Sequence, residues 1–238
     1  MKPLQPKRRG DDPERAFTRL ELLAVLAVLA LLALMVLPAL ANNKTRSQRL
    51  LCVSNLRQIG QAFQLFGNDH DELLPWRVSV ANGGTWGSAL ANNAWFHFSW
   101  VSNELRTPVL LVCPRDNKRV ANTWGGSPDG GFLNPRFRNA ALSYFAGMDA
   151  FPHLPGALVA GDFNVRSNGV GSCSSGITPV VVINPAARLG LGLGPHADAG
   201  NFLFYDGQVQ QLSSEGFIRA LDEPNRVDDN GSIHHLIP

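Results

Sequence analysis

The chain opens on a sharp change of pattern. A polar stretch, 1–16, is followed by Phe17-Thr-Arg-Leu-Glu21, and from Leu22 to Ala41 no side chain is polar. At about 1.5 Å of rise per residue that run predicts about 30 Å of helix, enough to cross a bilayer core. From Asn42 to Phe66 the pattern becomes amphipathic: Cys52, Leu56, Ile59, Phe63 and Phe66 recur at three- and four-residue steps, between Arg49, Arg57 and other polar positions. This predicts that the same helix continues, with one face packed on a domain. Gly67-Asn68 supplies a stop before the acidic turn Asp69-His70-Asp71-Glu72.

The rest reads as short strands and turns. Phe98–Leu105 is a short helix candidate. Val109–Val112, Ala141–Phe145, Ala157–Ala160 and Val180–Ile183 read as strands. Asn201–Tyr205 and Gln208–Leu212 flank Asp206-Gly207, the signature of a hairpin with a two-residue turn, which would set Phe204 opposite Val209. Phe217–Leu221 predicts a final helix, and 222–238 a loose polar tail. The expected fold class is α+β, a long N-terminal helix, first transmembrane and then amphipathic, on a small antiparallel sheet with irregular loops. The expected organisation is a leader over 1–16, a span over 17–41, a domain over 42–221 and the tail.

Composition narrows the function classes. The 238 residues carry a net charge of +2, and only 17% are charged, so nothing favours nucleic acid as a partner. All five tryptophans, Trp76, Trp86, Trp95, Trp100 and Trp124, fall in one loop-rich segment. They read as the core of that layer or as a ligand platform. Three cysteines follow the apolar run. Cys52 lies on the helical stripe, Cys113 ends an apolar run, and Cys173 sits among Gly and Ser. The pattern favours a Cys52–Cys113 disulfide on an oxidising side of the membrane, against three reduced cysteines. No Gly-x-Ser-x-Gly, His-Glu-x-x-His or P-loop is present, so the expectation is a non-enzyme. His196 with Asp198 and Asp162, and the acidic turn 69–72, are sparse as metal ligands, and no metal or other cofactor is expected.

Two readings of the N-terminal region come from the residues alone. One is a plain signal anchor. The other is a secretory signal peptide, cut after Ala39-Leu40-Ala41, although the apolar run is longer than such peptides carry. A third follows from the leader, Ala16, Phe17, Glu21 and the apolar helix with Pro38. Together they resemble the type IV pilin-like proteins, including the pseudopilins of type II secretion. Those precursors have a short basic leader, a cut before an aromatic residue that becomes the methylated N-terminus, and a Glu four residues on. Ala16 stands in place of the usual Gly, and Arg19 in place of an apolar residue. A second match is His196-x9-Asp206-Gly207, within a stretch running through Gly200-Asn201, with Cys113-Pro114-x-Asp116 and Gly161-Asp162-x-Asn164 elsewhere. The resemblance implies a pilin fold and processing between Ala16 and Phe17 by a prepilin peptidase. It implies a single pass through a bacterial inner membrane with the C-terminal domain in the periplasm or in a filament. It also implies assembly with other pilin-like subunits in a type II secretion or type IV pilus apparatus, with Glu21 facing the N-terminal ammonium of a neighbour. The alternatives are a pilin-anchored display protein with a Trp-rich ligand face and, last, a membrane-anchored hydrolase.

Overall fold

A computed structural model describes residues 18–152, 154, 156–165, 169–171, 180–183, 191–192, 196, 198–221 and 233–238, with backbone alone at 35–45, 169–171, 180–183 and 233. The chain divides into two compact units, Met1–Thr45 and Arg46–Pro238. Helix α1 spans Arg19–Asn68. Thr18 caps it. The Thr18 N–H and hydroxyl donate to Glu21 Oε2 at 2.8 and 3.0 Å, and the Glu21 N–H donates to Thr18 Oγ1 at 3.2 Å. This reciprocal capping box satisfies two backbone donors at the helix start.

The expected architecture needs correction at two points. Among the described residues no helix is long and apolar enough to cross a membrane. The expected transmembrane helix over 17–41 is therefore not met. The sheet is also not small. Among the described residues it has seven strands, β1 Tyr144–Gly147, β2 Leu158–Asp162, β3 Gly169–Gly171, β4 Val180–Ile183, β5 Ala199–Phe204, β6 Val209–Ser213 and β7 Ile233–Leu236. They are ordered β3-β4-β7-β1-β2-β5-β6, and every pairing is antiparallel.

Within the second unit, Cys52, Leu56, Ile59, Ala62, Phe63 and Phe66 form the buried stripe of α1. Gly60 lets the helix approach β5: a Cβ there would lie 2.8 Å from Leu203 Cδ1. Tyr144, Ala146 and Leu203 face this core, while Phe145, Phe202 and Phe204 point to the other side of the sheet. There α4, Ser214–Leu221, covers them with Phe217 and Leu221. Phe217 stacks on Phe202 with centroids 4.6 Å apart. α1 ends where His70 turns back. Its Nδ1 donates to the Phe66 carbonyl at 2.8 Å, its ring stacks on Phe66, and Asp71 and Glu72 adopt positive φ.

Three local expectations shift. Val109–Val112 is no strand. Pro108–Leu111 is a 3₁₀ turn, with Pro108 in its first turn and the Thr107 side chain accepting from the Val109 N–H. The 94–105 region breaks into α2, Ala94–Ser99, and α3, Ser102–Leu105. The hairpin register slips by one, pairing Leu203 rather than Phe204 with Val209. Phe204 accepts from the Gly207 N–H and donates to the Gln208 carbonyl, so the loop is three residues long and Gly207 takes φ +83°. The expected loose tail is corrected as well. Its Ile233–Leu236 is β7, inserted between β4 and β1, while 222–232 lie outside the described residues.

Candidate functional site

Where α1 meets the sheet, four segments bring polar groups into the core. Cys52 comes from the buried stripe of α1 and Cys113 from the end of the 3₁₀ turn. Their sulfurs form a disulfide with Cα atoms 5.1 Å apart. Asn55, one turn on from Cys52, donates to the Val112 carbonyl at 3.2 Å and fixes the same loop. After Cys113 the chain turns, with the Asp116 N–H donating to the Cys113 carbonyl. The Asp116 side chain accepts from Ser143 Oγ at 2.8 Å. This holds the cysteine segment against the entry to β1.

The other two segments come from β2 and the run into β5. Asp162 ends β2, and its Oδ2 accepts from the Asn201 N–H at 2.7 Å and from Asn201 Nδ2 at 3.0 Å. Asn164 Nδ2 donates to the carbonyls of Gly192 and Ala199, each at 3.2 Å. These bonds fasten the approach to β5 onto the end of β2 and carry His196 into the core. His196 Nε2 lies 3.3 Å from Cys113 Sγ and 3.6 Å from Asp162 Oδ2. The second distance is too long for a hydrogen bond, so that contact is electrostatic. Asp162 and His196 are each 1% exposed. His196 Nδ1 and Asp162 Oδ1 are buried and make no hydrogen bond among the described residues.

Burial sets the protonation of both groups. It pushes the Asp162 carboxyl up to about 7, against the pull of the two Asn201 donors and with a further push from the Asp116 charge. It pulls His196 down to about 4, helped by the nearby Arg115 and Arg49 guanidinium groups. The imidazole is therefore neutral at neutral pH, with a lone pair available on one ring nitrogen. Burial, and then the Asp162 charge, raise the neighbouring Tyr144 hydroxyl as well. The arrangement joins a disulfide to a neutral imidazole and a buried acid, out of reach of bulk solvent.

The expected site residues fall in separate places. Cys52, Cys113, His196 and Asp162 meet at this junction. Asp206 and Gly207 lie at the tip of the β5–β6 hairpin, where Asp206 Oδ1 accepts from the Gln208 N–H at 2.9 Å, and they serve the turn. Glu21 closes the capping box of α1. Ala16, Phe17 and Cys173 lie outside the described residues. Among the described residues, the cluster with metal-ligand spacing is Cys52, Cys113 and His196; Asp198 and the 69–72 turn are not part of it. Trp76 and Trp95 are buried in the core, Trp100 and Trp124 are partly buried, and Trp86 is exposed. Asn55 and Asn201 carried no expected role at this site. Asn55 was legible as the polar residue three positions after Cys52, but its partner carbonyl belongs to a distant loop. A separate cleft of about 570 Å³ opens between α1 and the β5–β6 turn, lined by Phe63, Leu74, Leu203 and Tyr205 among others. Comparison with known protein families, with curated proteins and with solved structures finds no match.

Proposed function

We propose that the chain is a subunit of a pilin-like assembly, joined to its neighbours through the apolar first part of α1. The observation that carries this reading is the surface of that part. Ten Leu and Val side chains between Leu20 and Leu34 are 51–77% exposed, and they lie on every face of the helix. A helix that is apolar all round needs cover on all sides, and an unpartnered apolar surface of this extent marks an interaction site. Equivalent helices of neighbouring subunits supply such cover, packing side chain against side chain. The leader pattern around Ala16 and Phe17 and the His196-x9-Asp206-Gly207 stretch support the pilin-like character. The described contacts of Glu21 give it a role within its own helix start, so register between subunits rests on the apolar side chains.

A photo-crosslinking side chain placed at Leu26 in the full chain tests the reading. The expected adducts join this position to the same stretch of another copy or of a related chain. Adducts to lipid alone, or none, overturn it. N-terminal mass analysis of the isolated protein addresses the processing step separately, with a methylated Phe17 expected.

A further inference from the structure

The buried junction contains more polar chemistry than a structural crosslink requires. A disulfide between helix and loop is complete in itself and needs no histidine against its sulfur. Here Cys52 Sγ, Cys113 Sγ and one ring nitrogen of His196 lie within 4.8 Å of one another. The nitrogen that faces Cys113 also faces Asp162 Oδ2 at 3.6 Å. A tetrahedral zinc ion with bonds of about 2.0–2.3 Å keeps its ligand atoms roughly 3.3–3.8 Å apart. The nitrogen–sulfur and nitrogen–oxygen distances already fall in that range. The two sulfurs must part, which breaking their bond allows, and Asp162, which lies outside the Cys52, Cys113 and His196 group, must close on them. We propose that reduction of the Cys52–Cys113 disulfide converts the junction into a tetrahedral zinc site, with both thiolates, His196 Nε2 and Asp162 Oδ2 as ligands.

Three further features fit this assignment. Two thiolates and an imidazole form the soft, nitrogen-containing set that selects zinc over calcium or magnesium. Two thiolates and a carboxylate around a divalent cation leave one negative charge. Arg49 Nε and Arg115 Nη1 are buried beside the cluster with no hydrogen bond among the described residues, and both side chains act electrostatically on His196. They are placed to balance that charge. The ligands come from α1, the 113 loop, β2 and the approach to β5, so the metal would tie the two elements the disulfide joins and two more.

The chemistry balances with a small dithiol as reductant. The protein disulfide takes up two electrons and two protons from the dithiol, which leaves as its own disulfide. Binding of zinc then releases the two thiol protons to solvent. Disulfide and zinc are thus alternative closures of one junction, and the oxidised junction has no thiolate to offer.

The test uses the full chain, reduced without oxygen and cleared of reductant, then titrated with cobalt(II) and zinc(II). The expected result is one cobalt per reduced chain, with thiolate-to-cobalt charge-transfer absorption and the strong visible bands of a tetrahedral ion, displaced by one equivalent of zinc. The oxidised chain should give neither signal. His196→Gln and Asp162→Asn should each weaken binding at least tenfold, and Cys173→Ser should leave it unchanged. Zinc should raise the melting temperature of the reduced chain, including a chain that reduction alone unfolds. Absence of the charge-transfer band, binding of equal strength in His196→Gln, or no rise in melting temperature overturns the proposal.

Discussion

His97 makes the chain's response to acid predictable. It lies on α2, fully buried. Nε2 is 2.7 Å from the Ala91 carbonyl, and Nδ1 is 2.7 Å from Thr85 Oγ1. A carbonyl only accepts, so Nε2 carries the ring proton and Nδ1 accepts from the Thr85 hydroxyl. A second proton on Nδ1 would reverse that bond, leaving the Thr85 hydroxyl as acceptor, and would bury a cation. Desolvation is the leading cause that lowers its pKa from 6.5 to about 4, and the Ala91 bond opposes it. Between those values the unfolded chain binds the proton and the folded chain does not, so stability falls as pH drops from about 6.5 to about 4. A displacement of about 2.5 pH units at about 1.36 kcal/mol each corresponds to roughly 3 kcal/mol. His97→Gln keeps an amide donor for Ala91 and cannot titrate. It should be less stable than the parent at pH 7, because packing and the Thr85 bond suffer. That deficit should shrink by roughly 3 kcal/mol at pH 4. Urea unfolding of both chains at several pH values measures it. His196, lowered to about 4, and His235, lowered to about 3 by burial and the neighbouring His234, titrate in both chains and cancel in the difference. A deficit that does not change with pH would refute the argument.

Three further outcomes follow from single contacts. Cys52→Ala with Cys113→Ala opens a link across 61 positions and should lower unfolding free energy by about 4 kcal/mol in the chain-entropy treatment; a loss under about 1 kcal/mol in denaturant titration would mean the junction holds without its crosslink. Gly147→Ala places a Cβ 1.9 Å from the Leu158 carbonyl oxygen, a backbone atom that cannot yield, so β1 and β2 must separate locally at a cost above about 3 kcal/mol; a melting temperature equal to the parent's would contradict this. Glu21→Ala removes the acceptor for both Thr18 donors and should speed amide exchange over the first turn of α1 while leaving the 46–68 part unchanged; equal exchange at Thr18 and its neighbours would show the capping box to be idle.

How far the sequence could be read depended on where the deciding contact lay. The stripe Cys52, Leu56, Ile59, Phe63 and Phe66 was legible because helical periodicity is a local signal, and all five are buried. The β5–β6 hairpin was legible as an element but not in register. Asp-Gly suits both a two-residue turn and a three-residue loop in which only Gly207 takes positive φ, and the choice moves every pairing by one. At Pro108–Leu111 an apolar run imitated a strand, although Pro108 and the Thr107 cap favour a tight turn. Strand β7 was hidden by its histidines. Ile-His-His-Leu looks polar, yet His235 is fully buried and stacks on Phe145 with centroids 4.0 Å apart, and the His234 N–H is held by Asp149 at 2.6 Å. Both partners lie more than eighty residues away, beyond any local pattern.

The junction site shows the same division at the level of chemistry. Cys52, Cys113, Asp162 and His196 each stood out singly, but positions 52, 113, 162 and 196 have no shared spacing. Three local choices bring them together. The Asn55 bond to Val112 places Cys113 under the helix. The Asn201 bonds to Asp162 place the end of β2 against the start of β5. The Asn164 bonds to Gly192 and Ala199 draw the His196 segment inward. In each case an asparagine side chain bonds a group on another segment, and asparagine alone carries no periodic signal. Inside the cluster the two Asn201 donors offset only part of the cost of desolvating Asp162, and its carboxyl stays raised to about 7. The redox state of the sulfurs acts on the ionisation of every group around them. Converting a neutral disulfide into thiolates adds negative charge beside His196 and Asp162, which raises the proton affinity of both and strengthens their demand for a cation.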